Sequence, residues 1–175
     1  MNSNSNFKEN IFPAMILVII CLVVTLALAG TYSVANPIII QNQQKSADEA
    51  RQEVLPDGDG FTQYDGKLAE GVEDCYIADN KAGIAVTAGY KGFGGTVKVM
   101  IGIDADGKVT GVKVTEHSET PGLGTKAADP EYLKQYKGVA EAPEASIKDD
   151  KNVDAVTGAT ITSNAVYNSV KEALA

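Results

Sequence analysis

A long run without charge near the N-terminus constrains this chain more than any other feature. No charged side chain occurs in residues 10–44, and residues 11–35 are apolar almost throughout. A helix of about 20 apolar residues crosses the roughly 30 Å hydrocarbon layer of a bilayer, because each residue rises about 1.5 Å. The sequence therefore predicts a short tail at residues 1–10 and, at residues 11–35, a transmembrane helix held in the lipid bilayer.

A cleaved signal peptide is the alternative interpretation of this run. Lys8 would be its basic end, and Ala-Leu-Ala at residues 27–29 its cleavage site. The run is long for a signal peptide and continues past residue 29, which favours a retained anchor. The charges that flank the run do not indicate which way the anchor crosses the membrane, since Lys8 precedes it and Lys45 and Arg51 follow it.

Composition argues against several classes of function. The 175 residues carry a formal net charge of −8 and no basic run, so nucleic acid is not an expected partner. Cys21 and Cys75 form no CxxC pair, and His117 is the one histidine. We therefore expect no metal site, no disulfide and no catalytic residue, since no nucleophile paired with a general base is evident.

The remainder of the chain is predicted to be a stalk followed by one domain. Residues 36–56 suggest a helical stalk that Pro37 opens and Pro56 closes. Residues 57–175 are enough for a single core. Their clearest signal is a β-hairpin, in which a tight turn at Asp106-Gly107 separates two alternating stretches, with apolar residues at Val97, Val99, Ile101, Ile103, Val109, Val112 and Val114.

Helices are predicted on both sides of a short strand. Asp129 would cap a helix that begins at Pro130 and reaches about Tyr136. A strand is predicted at residues 153–156, and a final amphipathic helix at about 162–174. A hairpin followed by helices, without alternation of strand and helix, predicts an α+β fold with an antiparallel sheet and flanking helices.

The stretch "DAVTGATITS", residues 154–163, offers chemistry at the start of that final helix. Gly158 permits a sharp turn, and unpaired N–H groups at a helix N-terminus favour an anion such as a phosphate on or beside Thr160. The alternative is an ordinary helix cap made by Thr157, Thr160 or Thr162.

Two glycine-containing stretches are less specific. In "EHSETPGLGT", residues 116–125, Gly122 and Gly124 would let backbone amides approach a ligand, while Leu123 offers a contact to a flat ring. An ordinary surface loop is the alternative. "AGYKGFGGTVKV", residues 88–99, does not have phosphate-loop spacing. It suggests a turn entering a strand, with Tyr90 and Phe93 as packing residues.

Taken together, these stretches resemble the FMN-binding domain family. "DAVTGATITS" resembles its flavin-attachment motif, and "HSETPGLG" and "YKGFGGTVKVMIGID" look like two further signatures in the expected order. The uncharged N-terminal run and the stalk ending "EVLP" are similar to one branch, the G subunits of the Rnf ion-translocating ferredoxin:NAD⁺ oxidoreductases. The C subunit of the sodium-translocating NADH:quinone reductase is the close relative.

The resemblance implies specific residue roles. FMN would be bound covalently, through a phosphoester to Thr160, by a flavin transferase that takes FAD with a divalent metal. Asp154, Gly158 and Ala159 would be recognised by that transferase. Thr157 stands at a position where serine is commoner in the family, and it keeps the hydroxyl group. Thr162 and Ser163 would serve the helix cap and contact the phosphate. The flavin would be lined by a loop that contains Glu119, Thr120, Gly122, Leu123 and Gly124.

The resemblance also implies a function and a place. The chain would be an electron-transfer subunit of a translocase that pumps Na⁺ or H⁺, working with other membrane subunits and an iron–sulfur subunit. Its N-terminus would be cytoplasmic and its flavin domain on the outer side of the cytoplasmic membrane. The alternatives are a stand-alone extracytoplasmic flavin carrier, a quinone-reductase C-type subunit, and a non-redox module that binds a small anion.

Overall fold

The chain begins with one long helix. A computed structural model describes residues 3–175, with side chains described from residue 11 onward. Helix α1 spans Ser3–Val54 and continues through Pro13 and Pro37, so it does not restart at Pro37 as the sequence suggested. From Ile11 onward α1 is long and apolar enough to cross a bilayer. The chain divides after Ser46, and Ala47–Ala175 forms a compact unit of its own.

A five-stranded antiparallel sheet forms the centre of the second unit. Its strands are β1 (Phe61–Gln63), β2 (Val72–Ala78), β3 (Gly83–Lys91), β4 (Thr96–Asp104) and β5 (Val109–Glu116). They pair in chain order, each antiparallel to the next. The predicted α+β fold with an antiparallel sheet is confirmed.

The predicted hairpin is the β4–β5 pair. Ile101 faces Val112 across it, and the Asp104 carboxylate closes the turn by accepting hydrogen bonds from the N–H groups of Asp106 and Lys108, both at 2.9 Å. Strand β3 was not predicted, and its last residues, from Ala88, were interpreted as part of a turn entering a strand. It is nine residues long and pairs with β4 along its whole length, from Gly83 to Lys91.

Two helices follow the sheet. After a 3₁₀ turn at Gly124–Ala128, helix α2 spans Pro130–Leu133 and continues as a 3₁₀ turn to Tyr136. The Asp129 side chain accepts a hydrogen bond from Glu131 N–H, which confirms the predicted cap. Helix α3 spans Thr160–Ala173 and therefore begins two residues before the predicted start.

The predicted strand at residues 153–156 is wrong. Gln135 takes the place of a neighbouring strand there, because its side chain bonds both backbone groups of Asp154. The Asp154 N–H donates to Gln135 Oε1 at 2.7 Å, and Gln135 Nε2 donates to the Asp154 carbonyl at 3.2 Å. The amide side chain satisfies the hydrogen bonds of this backbone without a neighbouring strand. The alternating pattern of apolar residues therefore does not indicate a strand here.

The sheet is covered on both faces. Helix α3 packs on β3 and β4, and its buried Val166, Tyr167 and Val170 join the main core. On the other face, Ala50 and Val54 from the last turns of α1 form a second apolar cluster with sheet residues such as Met100. This packing fixes the N-terminus of α3 beside the loops that leave β3 and β5.

Candidate functional site

Three segments of the chain meet and form an open cleft of about 350 Å³. One is the β3–β4 turn, the second is the loop after β5, and the third is the start of α3. The predicted site residues that line the cleft are Glu119, Thr120, Leu123, Gly124, Gly158, Ala159, Thr160 and Thr162. The fold thus brings the two predicted segments, the loop and the helix start, into one site.

Thr160 is the first residue of α3 and is half-buried in the cleft wall. Ala159 occupies the N-cap position and supplies no side-chain hydrogen bond. The first-turn N–H groups of a helix have no partner within the helix, and in the described part of the chain no side chain caps those of α3. The predicted threonine or serine cap is therefore wrong, because the helix starts at Thr160 itself.

Thr162 and Ser163 point inward instead of capping the helix. The buried Thr162 hydroxyl donates to Glu119 Oε2 at 2.8 Å. The Ser163 hydroxyl donates to the Ala159 carbonyl and accepts from Val156 N–H, both at 3.0 Å. In the part of the chain that the structure describes, no such bond engages the Thr160 hydroxyl, so that oxygen is left available for chemistry.

Glu119 is the most constrained polar residue of the site. Only 6% of it is exposed, and its second oxygen, Oε1, accepts a 3.1 Å hydrogen bond from Gly94 N–H. Glycines surround the carboxylate: a Cβ at Gly124 would lie 2.5 Å from Oε2, and one at Gly92 would collide with Oε1. The glycines of both loops therefore make space for a side chain and do not form a phosphate loop.

Leu123 projects from the loop after β5. Gly122 precedes it at φ +77°, a conformation that favours glycine, and donates its N–H to Thr125 Oγ1 at 2.9 Å. Gly158, at φ +82°, lies opposite, where a Cβ would be 3.2 Å from Leu123 Cδ1. Gly122 shapes the loop from outside the cleft, while Gly158 leaves space in front of Leu123.

Apolar side chains line the entrance of the cleft. Phe93 is 74% exposed, Ile161 54% and Leu123 45%. Tyr90 packs against the core as predicted, but the same prediction is wrong for Phe93. The sequence signal that could have identified Phe93 is its position between glycines, Gly92 and Gly94, which gives it no neighbouring side chain to pack against.

Other singled-out residues lie outside the cleft lining. Asp154 and Thr157 are exposed just before α3, and Ser163 is buried behind it. His117 is exposed, and its Nδ1 accepts a long 3.4 Å hydrogen bond from Glu119 N–H. Burial raises the pKa of the Cys75 thiol, and Asp74 adds to that rise. Among the residues described from position 11 onward, no group of three potential metal ligands occurs.

Comparison with known proteins gives consistent matches. Residues 92–175, which include every segment of the cleft, match the FMN-binding domain family. The G subunit of a proton-translocating ferredoxin:NAD⁺ oxidoreductase complex from Clostridium ljungdahlii is 34% identical, over 90% of this chain and 86% of the relative. The G subunit of the Na⁺-translocating complex of Acetobacterium woodii is also 34% identical, over 89% and 86%. The G subunit of an ion-translocating oxidoreductase complex from Methanosarcina acetivorans is 30% identical, over 97% and 95%.

Proposed function

The chain belongs to the family of G subunits of ion-translocating oxidoreductase complexes, and from that premise we propose that it is a membrane-anchored flavoprotein subunit that relays electrons through FMN. The complex would oxidise ferredoxin, reduce NAD⁺ and pump Na⁺ or H⁺. The observation that carries the proposal is the cleft that joins Thr160 to the glycine loops within the segment matching the FMN-binding domain. FMN supplies the redox chemistry, and the protein supplies its position and surroundings.

Thr160 is proposed to carry the FMN through a phosphoester. Three features support this choice over the neighbouring hydroxyls: Thr160 lines the cleft, it stands at a helix N-terminus without a side-chain cap, and its hydroxyl is not engaged by described residues. The open amides of Thr160, Ile161 and Thr162 would stabilise the phosphate charge. Thr162 and Ser163 would hold the helix start in place from the inner side.

The remaining cleft residues fit a flat ring system. Leu123 and Phe93 offer exposed apolar surface, while Gly124 and Gly158 leave space between the two walls. Thr120 would add a polar contact at the edge of the cleft. A pocket of about 350 Å³ falls within the usual range of about 300 to 1,000 Å³ for cofactor sites.

Attachment would require a flavin transferase. Asp154, Thr157 and Gly158 are exposed just before Thr160, where an external enzyme can reach them, whereas Ala159 is buried and its N–H donates to the Val156 carbonyl across a turn. Covalent tethering keeps the flavin at high local concentration, so occupancy does not depend on free FMN outside the cytoplasm.

The proposed placement in the cell follows the family. Residues 11–35 would anchor the chain, residues 36–56 would form the stalk, and residues 57–175 would hold FMN on the extracytoplasmic side, with residues 1–10 in the cytoplasm. The partners would be multispanning membrane subunits and an iron–sulfur subunit. Purification of the tagged full chain from its native membrane in mild detergent tests this: recovery with such subunits supports the complex, and recovery of the flavoprotein alone supports a stand-alone carrier.

In-gel flavin fluorescence tests the attachment. The full chain is co-expressed with a flavin transferase, denatured and separated on a gel. We expect fluorescence from the wild type and from Thr120→Ala, a matched threonine change in the same cleft, and none from Thr160→Ala. Equal fluorescence of the wild type and Thr160→Ala would refute the attachment site. A dark wild type, beside a fluorescent known substrate of the same transferase, would refute the flavoprotein assignment.

A further inference from the structure

We propose that Glu119 lowers the reduction potential of the flavin by holding a buried negative charge in the wall of its cleft. The inference rests on the proposed function, because it requires a flavin attached at Thr160.

The hydrogen bonds around Glu119 match the ionised carboxylate. Both oxygens accept, Oε1 from Gly94 N–H at 3.1 Å and Oε2 from the Thr162 hydroxyl at 2.8 Å. A backbone N–H can only donate and a hydroxyl can donate, so both partners can stabilise a carboxylate that carries a negative charge. The two donors come from different segments, so they fix the carboxylate between the β3–β4 turn and α3.

The surrounding glycines hold that charge away from solvent. Added side chains at Gly92 or Gly124 would occupy the space of the two carboxylate oxygens, and Glu119 is 6% exposed as a result of the close packing. A buried charge is screened by water and salt much less than one at the surface, so its field reaches further into the cleft.

The partners of Glu119 do not cancel its charge. Gly94 N–H and the Thr162 hydroxyl are neutral, and within residues 11–175 no salt bridge to Glu119 is present. The N-terminus of α3 contributes only about half a positive charge. Because Glu119 and Thr160 line the same cleft, a flavin on Thr160 would lie in a net negative field from this side chain.

That field acts selectively on the reduced flavin. Each electron that a flavin accepts adds one negative charge until a proton balances it, so a nearby fixed negative charge disfavours reduction. The carboxylate would therefore keep the flavin more reducing than it would be beside a neutral side chain of the same shape.

The Glu119→Gln substitution isolates the charge. Glutamine keeps the shape: its carbonyl can accept from Gly94, and its amide can donate to the Thr162 hydroxyl. Glu116→Gln is the matched control, because Glu116 lies three residues away in the chain and its side chain is largely exposed beside Lys98. The full chain is flavinylated, purified in detergent and titrated by spectroelectrochemistry.

We expect Glu119→Gln to raise the ratio of reduced to oxidised flavin about tenfold at a fixed potential, equivalent to about 30 mV for a two-electron couple. Glu116→Gln is expected to stay close to the wild type. Equal potentials for flavinylated wild type and Glu119→Gln overturn the inference, as does an equal rise in both variants. An unflavinylated wild type would instead overturn the proposed function.

A second variant keeps the inference testable if Glu119→Gln folds poorly. Gly92→Ala leaves the charge present but forces Oε1 out of its position. We expect the potential to differ from that of the wild type, with unchanged flavin content, because the distance between the negative charge and the flavin changes. A potential equal to that of the wild type, in folded and flavinylated Gly92→Ala, would overturn the inference.

Discussion

The Thr162 hydroxyl donates a buried 2.8 Å hydrogen bond to the Glu119 carboxylate, joining the first turn of α3 to the loop after β5. The two residues are 43 positions apart in the chain. Thr162 follows Thr160 by two residues, so the bond fixes the helix turn from which Thr160 faces the cleft. The same carboxylate reaches Gly94 on its other side. Glu119 therefore links all three segments of the site through hydrogen bonds.

Thr162→Val is expected to destabilise the domain by about 1 to 3 kcal/mol, because a buried carboxylate oxygen loses its donor. Chemical denaturation of the full chain in detergent, followed by circular dichroism, measures the change in the free energy of unfolding. Thr157→Val is the control: Thr157 is exposed, and we expect a change within about 0.5 kcal/mol. Equal stabilities of the two variants would mean that the Thr162–Glu119 bond contributes nothing.

Gly92→Ala should destabilise the domain by about 1 to 3 kcal/mol, the usual cost of overpacking. The new methyl group would collide with Glu119 Oε1 and lie 2.8 Å from Val97 Cγ2. Gly95→Ala, in the same turn, meets Ser118 Cβ at an ordinary 3.5 Å and should be tolerated. Thermal unfolding of both variants in the same detergent compares them. A Gly95→Ala variant as unstable as Gly92→Ala would indicate that the turn resists any side chain.

The sequence predicted what depends on local patterns. Alternation identified the β4–β5 hairpin, and residue chemistry identified the Asp129 cap. Strand β3 was largely missed because its apolar residues run consecutively, as expected of a strand buried on both faces. The strand predicted at residues 153–156 is wrong because the side chain of Gln135, distant in the sequence, makes the hydrogen bonds of the Asp154 backbone.

For the site, the sequence located the segments but not the internal contacts. The resemblance supplied Thr160 and the loop from Glu119 to Gly124, and the structure places these residues around one cleft. It could not indicate that Thr162 would bond Glu119, since such pairing depends on how α3 packs on the sheet. The exposed position of Phe93 depends on the shape of the turn, which the flanking glycines suggest but do not specify.

Tyr167→Phe should destabilise the domain by about 1 to 2 kcal/mol below pH 10, since the hydroxyl donates to Asp150 Oδ2 at 2.8 Å and accepts from Glu144 N–H at 3.2 Å. Burial, followed by the hydrogen bond to Asp150, raises the pKa of Tyr167 to about 12. The neutral hydroxyl thus favours folding at pH values below the unfolded pKa of about 10, and this contribution is lost as pH rises through about 12.

Denaturation of wild type and Tyr167→Phe at several pH values measures whether this contribution to stability is lost as pH rises. The stability difference between them should narrow between about pH 10 and pH 12. A difference that stays constant across this range would contradict the raised pKa. Tyr64→Phe, at an exposed tyrosine, serves as the control and should follow the wild type throughout.

Phe93→Ala should leave the fold intact and open the cleft to solvent. The side chain is 74% exposed, so its loss should change the free energy of unfolding by no more than about 0.5 kcal/mol. If Phe93 covers the flavin ring, its removal lets iodide reach the ring, and the Stern–Volmer constant for quenching of flavin fluorescence should rise about twofold or more. Tyr64→Ala removes another exposed aromatic ring from outside the cleft lining and should leave quenching unchanged. Equal quenching in wild type and Phe93→Ala would mean that Phe93 does not shield the flavin, whereas increased quenching only in Phe93→Ala assigns it to the ring site.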